Sequence, residues 1–369
     1  MSNNPLVQLA DLNQSPWYDN IQRAMIQNGE LKRLIDEDGL KGMTSNPAIF
    51  QKAMTGSNDY DESLKTLLAS NSNQDAKALF YHLAIDDIQM AADVFKDIYD
   101  STNGKDGYVS LEISPDLAHD TDASITEALE LVKRVNRPNL MIKVPATLEG
   151  LPVIEALISE GINVNATLLF AVDRYLAVND AYIKGLEKRL AAGKDIHNIA
   201  SVASFFVSRV DSAVDNALKA ITEADTNHLI SKAAIANAKV AYQSYKDFYA
   251  SERFAPLKAA GAHPQRLLWA STGVKNPDLK DTLYIDELIG PETVSTIPPA
   301  TFDAFREHGV VTDTLEINVE QARATLADLA ELKIDLSAIT DELEVQGVKL
   351  FADAFEQLLE AIDNKKNLL

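Results

Sequence analysis

The chain has 369 residues and no cysteine, which excludes a disulfide framework, a thiolate metal site and a cysteine nucleophile. Its six histidines show neither HxH nor HxxxH spacing, so no histidine metal site is indicated. Only 15 residues are glycine, and neither a GxGxxG motif nor a Walker A loop occurs. A GxSxG nucleophile elbow is also absent. The sequence therefore lacks the common signatures of nucleotide-binding, metal and serine-hydrolase sites.

Long apolar runs and positive charge are also scarce. No apolar stretch is long enough to span a bilayer, and the N-terminus lacks the basic and apolar regions of a signal peptide. We therefore expect a cytoplasmic protein. The 34 basic and 55 acidic residues give a net charge of −21, which argues against nucleic-acid and membrane partners. A phosphate-bearing ligand would have to be held by a local group of cations.

Short apolar segments alternate with longer amphipathic patterns along most of the chain. Such alternation predicts parallel strands joined by right-handed crossovers, hence an α/β fold. About eight strands favour a single (β/α)8 TIM barrel. An open doubly wound sheet is the alternative, and it is less favoured because no glycine-rich loop follows the first strands. The strand predictions are 15–19, 40–45, 108–113, 140–145, 162–168, 199–206, 266–271 and 293–297.

Apolar residues at helical spacing lie between these strands. We expect one domain over 1–369, in which residues 312–369 form additional acidic C-terminal helices on the barrel exterior, with a frayed NKKNLL tail. The helical patterns between the strands cover 76–99, 121–135, 171–191, 208–222 and 228–250.

One lysine lies inside an apolar strand, in the segment NLMIKVPAT that contains Lys143. A lysine is rarely buried without a partner. Burial lowers the pKa of a lysine from its usual value near ~10.4 and so favours a neutral, nucleophilic amine. The alternative is a lysine near a strand end whose ammonium reaches water or a carboxylate.

Polar residues recur at the C-terminal ends of the predicted strands, where barrel enzymes place their catalytic groups. In the fifth strand, Asn163, Asn165 and Thr167 alternate with apolar residues, so all three face one side. The remaining polar or charged positions are Thr44, Ser45, Asn46, Glu112, Ser204, Arg209, Ser271, Thr272 and Lys275.

Each of these residues also has a purely structural interpretation. Asn46 with the following proline could form a turn, Glu112 could pair with a surface lysine, and Arg209 could pair with Asp173 or Asp211. Together, however, one amine, one acid, several hydroxyls and amides, and two further cations suit a phosphorylated carbonyl substrate.

Six segments together resemble the motif series of the transaldolase family, in the same order. The resemblance covers roughly residues 15–310 and is closest to the longer bacterial subfamily. It implies a single (β/α)8 barrel and a Schiff-base transferase without metal or organic cofactor. The segments are GLKGMTSNPAIF, YVSLEIS, LMIKVPAT, GINVNATLLF, SVASFFVSRVD and LLWASTGVKNP.

The resemblance also implies a role for individual residues. Lys143 matches the Schiff-base lysine and Asp19 the acid–base aspartate, while Glu112 and Thr167 match a pair that acts through a water. Substrate-binding positions are matched by Asn46, Asn165, Ser204, Phe206, Arg209 and Ser271. Where the family has a second phosphate-binding arginine shortly after the strand-seven serine, this chain has Lys275, which supplies charge without a bidentate fork.

The implied activity transfers a dihydroxyacetone unit between sugar phosphates in the pentose phosphate pathway. A Schiff-base aldolase that releases the three-carbon unit would use the same lysine, and a non-catalytic sugar-phosphate-binding barrel is a third interpretation. An aspartate rather than a tyrosine as the acid–base group favours the transferase. We expect small-molecule sugar phosphates as ligands, and a monomer or homodimer.

Overall fold

The computed structural model describes residues 4–368, so the ends of the predicted domain 1–369 lie outside the described residues. Its centre is a closed barrel in which eight parallel strands follow one another in chain order. The predicted (β/α)8 barrel is therefore confirmed, and the open sheet is excluded. The strands are β1 Gln14–Asp19, β2 Gly42–Thr44, β3 Tyr108–Glu112, β4 Leu140–Pro145, β5 Val164–Leu169, β6 Ser201–Phe206, β7 Arg266–Ala270 and β8 Thr293–Ile297.

Helices surround the barrel and cover the outward faces of its strands. Of the helices in the described part of the chain, none is long and apolar enough to cross a membrane. Short 3-10 turns cover Leu9–Leu12, Pro115–Leu117 and Asn227–Leu229. The α-helices are α1 Pro5–Gln8, α2 Arg23–Gln27, α3 Glu30–Asp38, α4 Pro47–Thr55, α5 Asp61–Ser70, α6 Ala76–Val94, α7 Lys96–Ser101, α8 Thr121–Val135, α9 Gly150–Glu160, α10 Val172–Ala191, α11 Ser208–Lys219, α12 Ala233–Tyr249, α13 Ala255–Ala259, α14 Leu283–Asp286, α15 Pro299–His308, α16 Val319–Glu331 and α17 Leu336–Leu368.

Local sequence sets the boundaries of these elements. Helix α8 begins after Asp120, whose side chain accepts a hydrogen bond from the Ala123 amide, and ends at Asn136 in the left-handed conformation. Strands β4 and β5 are buried along their whole length, as expected for parallel strands covered on both faces. A strand buried in this way tolerates polar side chains only where they find partners or serve a site.

Two non-glycine residues at the C-terminal ends of strands have left-handed backbone conformations. Leu168 in β5 has a φ of 62°, and Ser271 after β7 has a φ of 55°. The pairing of β5 with β6 shifts register between Ala166 and Leu169, so Leu168 lies in a β-bulge. Strained residues of this kind concentrate at functional sites because the surrounding structure must hold them in place.

The C-terminal helices have two different positions. Helix α16 packs on α12, whereas α17 contacts α4, α6, α11 and β5. Residues 312–369 were expected on the exterior of the barrel. Helix α17 also extends over the mouth of the barrel, where its Phe351 side chain lines the cavity. The predicted fraying does not occur up to Leu368, since Lys365 and Lys366 bond to residues of the α4–α6 region.

Candidate active site

A cavity of about 100 Å³ lies at the C-terminal end of the barrel. A larger cavity of about 1000 Å³ lies at the opposite end. Of the polar residues named from the fifth strand, Asn163 lies just before β5 and lines this larger cavity, where its amide donates to the Pro138 and Leu140 carbonyls, so the expectation that it shares a site with Asn165 and Thr167 is wrong. Barrel enzymes use the C-terminal face, so the smaller cavity is the candidate active site. Its lining residues are Asp19, Thr44, Asn46, Lys143, Thr167, Ser204, Phe206, Arg209, Ala270, Ser271, Thr296 and Phe351.

Lys143 lies at the centre of this constellation. It pairs in register with Glu112 on β3 and with Asn165 on β5, and only 4% of it is exposed. Its Nζ donates a hydrogen bond of 3.0 Å to the Ser45 carbonyl oxygen and lies 3.5 Å from Glu112 Oε2. The amine is therefore held inside the barrel by Glu112 on β3 and by the Ser45 carbonyl just after β2.

Glu112 is buried next to this amine rather than paired with a surface lysine. Burial raises its pKa from 4.5 to about 7, although Lys143 opposes the shift, and Asp19 adds to it. Neither carboxylate oxygen has a hydrogen-bond partner among the described residues, and the same holds for the Thr167 hydroxyl. Thr167 lines the cavity, whereas Glu112 does not and lies against a separate cavity of about 10 Å³. The Thr167 hydroxyl thus remains available to a ligand, and Glu112 can change its protonation state near neutral pH.

Asp19 lies across the cavity at the end of β1. It accepts a hydrogen bond of 2.6 Å from Thr44 Oγ1, which is also 2.6 Å from Thr296 Oγ1. Burial raises the pKa of Asp19, while Lys143 and the Thr44 hydrogen bond oppose the shift. A carboxylate with a raised pKa in a cleft is suited to take up a proton and return it.

Asn46 forms the N-cap of α4, which begins with Pro47. Its side-chain oxygen accepts a hydrogen bond of 3.0 Å from the Ile49 amide. The segment that could have been a simple turn is thus the start of a helix. Because the oxygen is engaged, the amide NH2 of Asn46 is the group left to face the cavity.

Asn165 is fully buried and lies behind the cavity lining. Its Oδ1 accepts a hydrogen bond of 2.6 Å from Ser204 Oγ, and its Nδ2 donates one of 3.1 Å to Ser110 Oγ. The amide therefore fixes the hydroxyl of Ser204, which does line the cavity.

Arg209 follows β6 in the first turn of α11, with its guanidinium carbon 5.5 Å from the centre of the Phe206 ring. Burial lowers its pKa. No carboxylate of the described residues lies within ion-pair distance of it, and Asp211 is instead bonded to the Ala234 amide and the Tyr284 hydroxyl. A guanidinium without a carboxylate partner in a cavity is suited to bind an anion.

Ser271 and Lys275 both follow β7, but they lie at different places relative to the cavity. Ser271 lines the cavity, with its Oγ 2.9 Å from Ser208 Oγ. Thr272 donates a hydrogen bond to the Thr296 carbonyl, and the chain then leaves the barrel mouth. Lys275 is exposed and does not line the cavity, so the structure does not bring this predicted residue to the other site residues.

Four lining residues were not predicted as site members, namely Thr44, Ala270, Thr296 and Phe351. Ala270 is the last residue of β7 and has no polar side chain. Thr44 belongs to the quoted TSNP segment, and Thr296 is a polar residue inside β8, so the pattern of polar strand ends extends to both. Phe351 had no such signal, because an apolar residue in an amphipathic helix is typical of ordinary core packing.

Comparison with known proteins gives the family. The family model described as Transaldolase/Fructose-6-phosphate aldolase matches residues 16–362. A relative named Transaldolase from Parafrankia sp. is 49% identical over 359 residues, with 97% of each chain covered. One named Transaldolase 2 from Nostoc punctiforme is 45% identical, with 100% of this chain and 99% of the relative covered. The chain thus belongs to the transaldolase/fructose-6-phosphate aldolase family, which confirms the family predicted from the sequence.

The raised pKa of Glu112 predicts a pH-dependent effect on stability. Between 4.5 and about 7 the folded state holds a proton on Glu112 that the unfolded state has lost, so the free energy of unfolding falls as the pH rises. The variant Glu112→Gln has no carboxyl group at this position, so its free energy of unfolding does not fall for this reason. We expect its stability relative to the wild type to increase across that range by a few kcal/mol, at ~1.4 kcal/mol per pKa unit.

Denaturant unfolding of both proteins at pH values from about 5 to about 8 measures the difference. The control is Glu127→Gln. Burial alone would raise the pKa of Glu127, but its bonds to Lys77 and Ser114 outweigh burial and lower it, so its effect should be constant over this range. A constant difference for Glu112→Gln as well would contradict the raised pKa.

Proposed function

We propose that this protein is a transaldolase that transfers a dihydroxyacetone unit from a ketose phosphate to an aldose phosphate. The donors would be sedoheptulose 7-phosphate or fructose 6-phosphate, and the acceptors glyceraldehyde 3-phosphate or erythrose 4-phosphate, as in the pentose phosphate pathway. The observation that carries the proposal is the Lys143 amine, which lines a cavity together with Asp19 and lies 3.5 Å from Glu112, two carboxyl groups whose pKa values are raised.

The first half of the reaction is the formation of a Schiff base. An amine attacks a carbonyl only in its neutral form, so Lys143 must give a proton to a neighbour. Glu112, 3.5 Å away and with a pKa of about 7, can hold that proton and return it. Addition of the amine to the ketose C2 gives a carbinolamine, and loss of its hydroxyl as water gives the iminium. Thr167 would assist these proton transfers through its free hydroxyl.

The second half is the cleavage of a carbon–carbon bond. Asp19 would take the proton of the C4 hydroxyl, and the C3–C4 bond then breaks toward the iminium, which accepts the electron pair. The aldose phosphate leaves, and the three-carbon unit stays on Lys143 as an enamine. Attack of this enamine on a new aldehyde reverses the steps. The hydrogen bond from Thr44 holds the Asp19 carboxylate in place for this exchange.

The other predicted residues would bind the substrate. The Asn46 amide and the hydroxyls of Ser204 and Ser271 face the cavity and can bond to sugar hydroxyls. Asn165 would act by positioning Ser204, to which it is bonded. Phe206 would provide an apolar wall that also contacts Arg209.

The phosphate would be bound by Arg209 with the N-terminal amides of α11. A local cation is needed because the protein carries a net charge of −21. Lys275 is exposed outside the cavity, so we limit its role to long-range attraction of the anion.

A Schiff-base aldolase that releases the three-carbon unit remains the alternative within this family. The identity of the acid–base group favours the transferase over the aldolase. The cavity is lined by the Asp19 carboxyl group at the end of β1, and no tyrosine of the described residues lines it. A non-catalytic sugar-phosphate-binding barrel would need no reactive amine, and the burial of Lys143 argues against it.

Turnover should depend on an acceptor. With fructose 6-phosphate alone, we expect release of about one equivalent of glyceraldehyde 3-phosphate per active site, because the enamine then waits for an aldehyde. Addition of erythrose 4-phosphate should restore steady turnover. A stopped-flow assay of glyceraldehyde 3-phosphate measures both phases. Sustained release of free dihydroxyacetone at a comparable rate without acceptor would instead establish an aldolase.

Removal of the guanidinium should affect phosphorylated substrates selectively. For Arg209→Ala we expect the KM of fructose 6-phosphate to rise, because a charge-assisted contact that contributes ~1.5–3 kcal/mol to binding is lost. Activity on unphosphorylated fructose should change little. Steady-state kinetics on both sugars measure the difference, and Lys275→Ala serves as the control with a much smaller effect, since an exposed ammonium is screened. Equal impairment on both sugars would make Arg209 a structural residue.

A further inference from the structure

One of the residues that line the cavity does not belong to the barrel. Phe351 of α17 lines it together with Lys143, and the Lys143 Nζ lies 5.9 Å from the centre of the Phe351 ring. Only 6% of Phe351 is exposed. An aromatic ring at this distance can interact favourably with a cation, and its bulk occupies space that solvent would otherwise enter.

Helix α17 is fixed on both sides of the barrel mouth. Near its N-terminal end, Glu344 lies 3.4 Å from Arg174 of α10, and near its C-terminal end Lys365 donates a hydrogen bond of 2.7 Å to Asp61. Both ion pairs are partly shielded from solvent. The segment that carries Phe351 is therefore held between two attachments on opposite sides of the cavity.

The helix also lies directly on the strand that carries Thr167. Gly347 is one turn before Phe351, and a methyl group at this position would lie 2.9 Å from Leu168 Cδ2. Leu168 has the left-handed conformation of the β5 bulge. A side chain at position 347 would therefore require Leu168 to shift, and the contact of α17 with β5 leaves Phe351 at the cavity.

The three-carbon unit would lie between the Lys143 amine and the Phe351 ring, which line the cavity together. The fragment left on Lys143 after cleavage has three carbons and two oxygens. The fragment would thus occupy the space from which Phe351 excludes water.

We propose that Phe351 determines whether the three-carbon unit is transferred or released, by keeping water away from the carbon bound to Lys143. This inference rests on the proposed function. Release requires a proton at the enamine C3 and addition of one water at C2. The carbinolamine then loses the amine, so that the enamine and one water give the free Lys143 amine and dihydroxyacetone. Because the ring blocks that water, an aldehyde acceptor reacts first.

The test measures a ratio rather than an activity. For the wild type and for Phe351→Ala, dihydroxyacetone released from fructose 6-phosphate without acceptor is divided by the rate of transfer to erythrose 4-phosphate. We expect Phe351→Ala to raise this ratio by about tenfold or more, which is a relative barrier change of ~1.4 kcal/mol. Phe351→Leu, which retains most of the apolar bulk, should raise it less and covers the case in which the alanine variant does not fold.

A packing variant on the same helix is the control. Leu358 is fully buried and lies seven residues after Phe351 on the same face, but it does not line the cavity. We expect Leu358→Ala to lower the melting temperature and leave the ratio unchanged. An equal rise for Leu358→Ala, or an unchanged ratio for both Phe351 variants, would overturn the inference.

The same experiment separates this inference from the proposed function. If the wild type transfers the unit and the Phe351 variants keep the wild-type ratio, only the role of Phe351 is wrong. If the wild type shows no acceptor-dependent transfer, the proposed function itself is wrong.

Discussion

The burial of one amine beside one carboxylate is the constraint on which the site depends. Lys143 and Glu112 lie opposite each other on β4 and β3, 3.5 Å apart and almost without exposure. Removing two ionisable groups from water costs free energy that their attraction does not fully return. The raised pKa of Glu112 expresses this cost. The same low-polarity environment favours proton exchange between the groups, so the destabilising feature is also the one that supports chemistry.

The surrounding structure holds this pair in place through a second layer of contacts. The Ser45 carbonyl orients the amine, Thr44 orients Asp19, and Asn165 orients Ser204. Helix α17 adds Phe351 to the cavity lining from outside the barrel and contacts β5 where Gly347 faces Leu168. Barrel strands therefore supply the reacting groups, whereas a helix remote in sequence contributes an aromatic ring to the cavity lining.

Much of the fold was predictable, because each strand is a short apolar segment between amphipathic helices. Segment 121–135 predicted α8 to the residue, since an acidic N-cap and an asparagine after the last turn mark its ends. Polar residues at strand ends predicted the cavity lining because barrel topology brings those ends together. Phe351 was not predictable, since only tertiary packing distinguishes it from a core residue. The position of Lys275 outside the cavity was not predictable for a similar reason. The direction of the loop after β7 depends on tertiary contacts such as the hydrogen bond from Thr272 to the Thr296 carbonyl.

The most direct test of the central claim is to trap the Schiff base on the protein and locate it. Borohydride with fructose 6-phosphate should leave a reduced three-carbon adduct on the peptide that contains Lys143, as read by mass spectrometry. Lys143→Met should stay folded and carry no adduct. The control is Lys239→Met, since Lys239 is equally buried at 4% exposure but bonds to Glu287 and the Ile317 carbonyl outside the cavity. That variant should be trapped like the wild type, and an adduct on any lysine other than Lys143 would contradict the account.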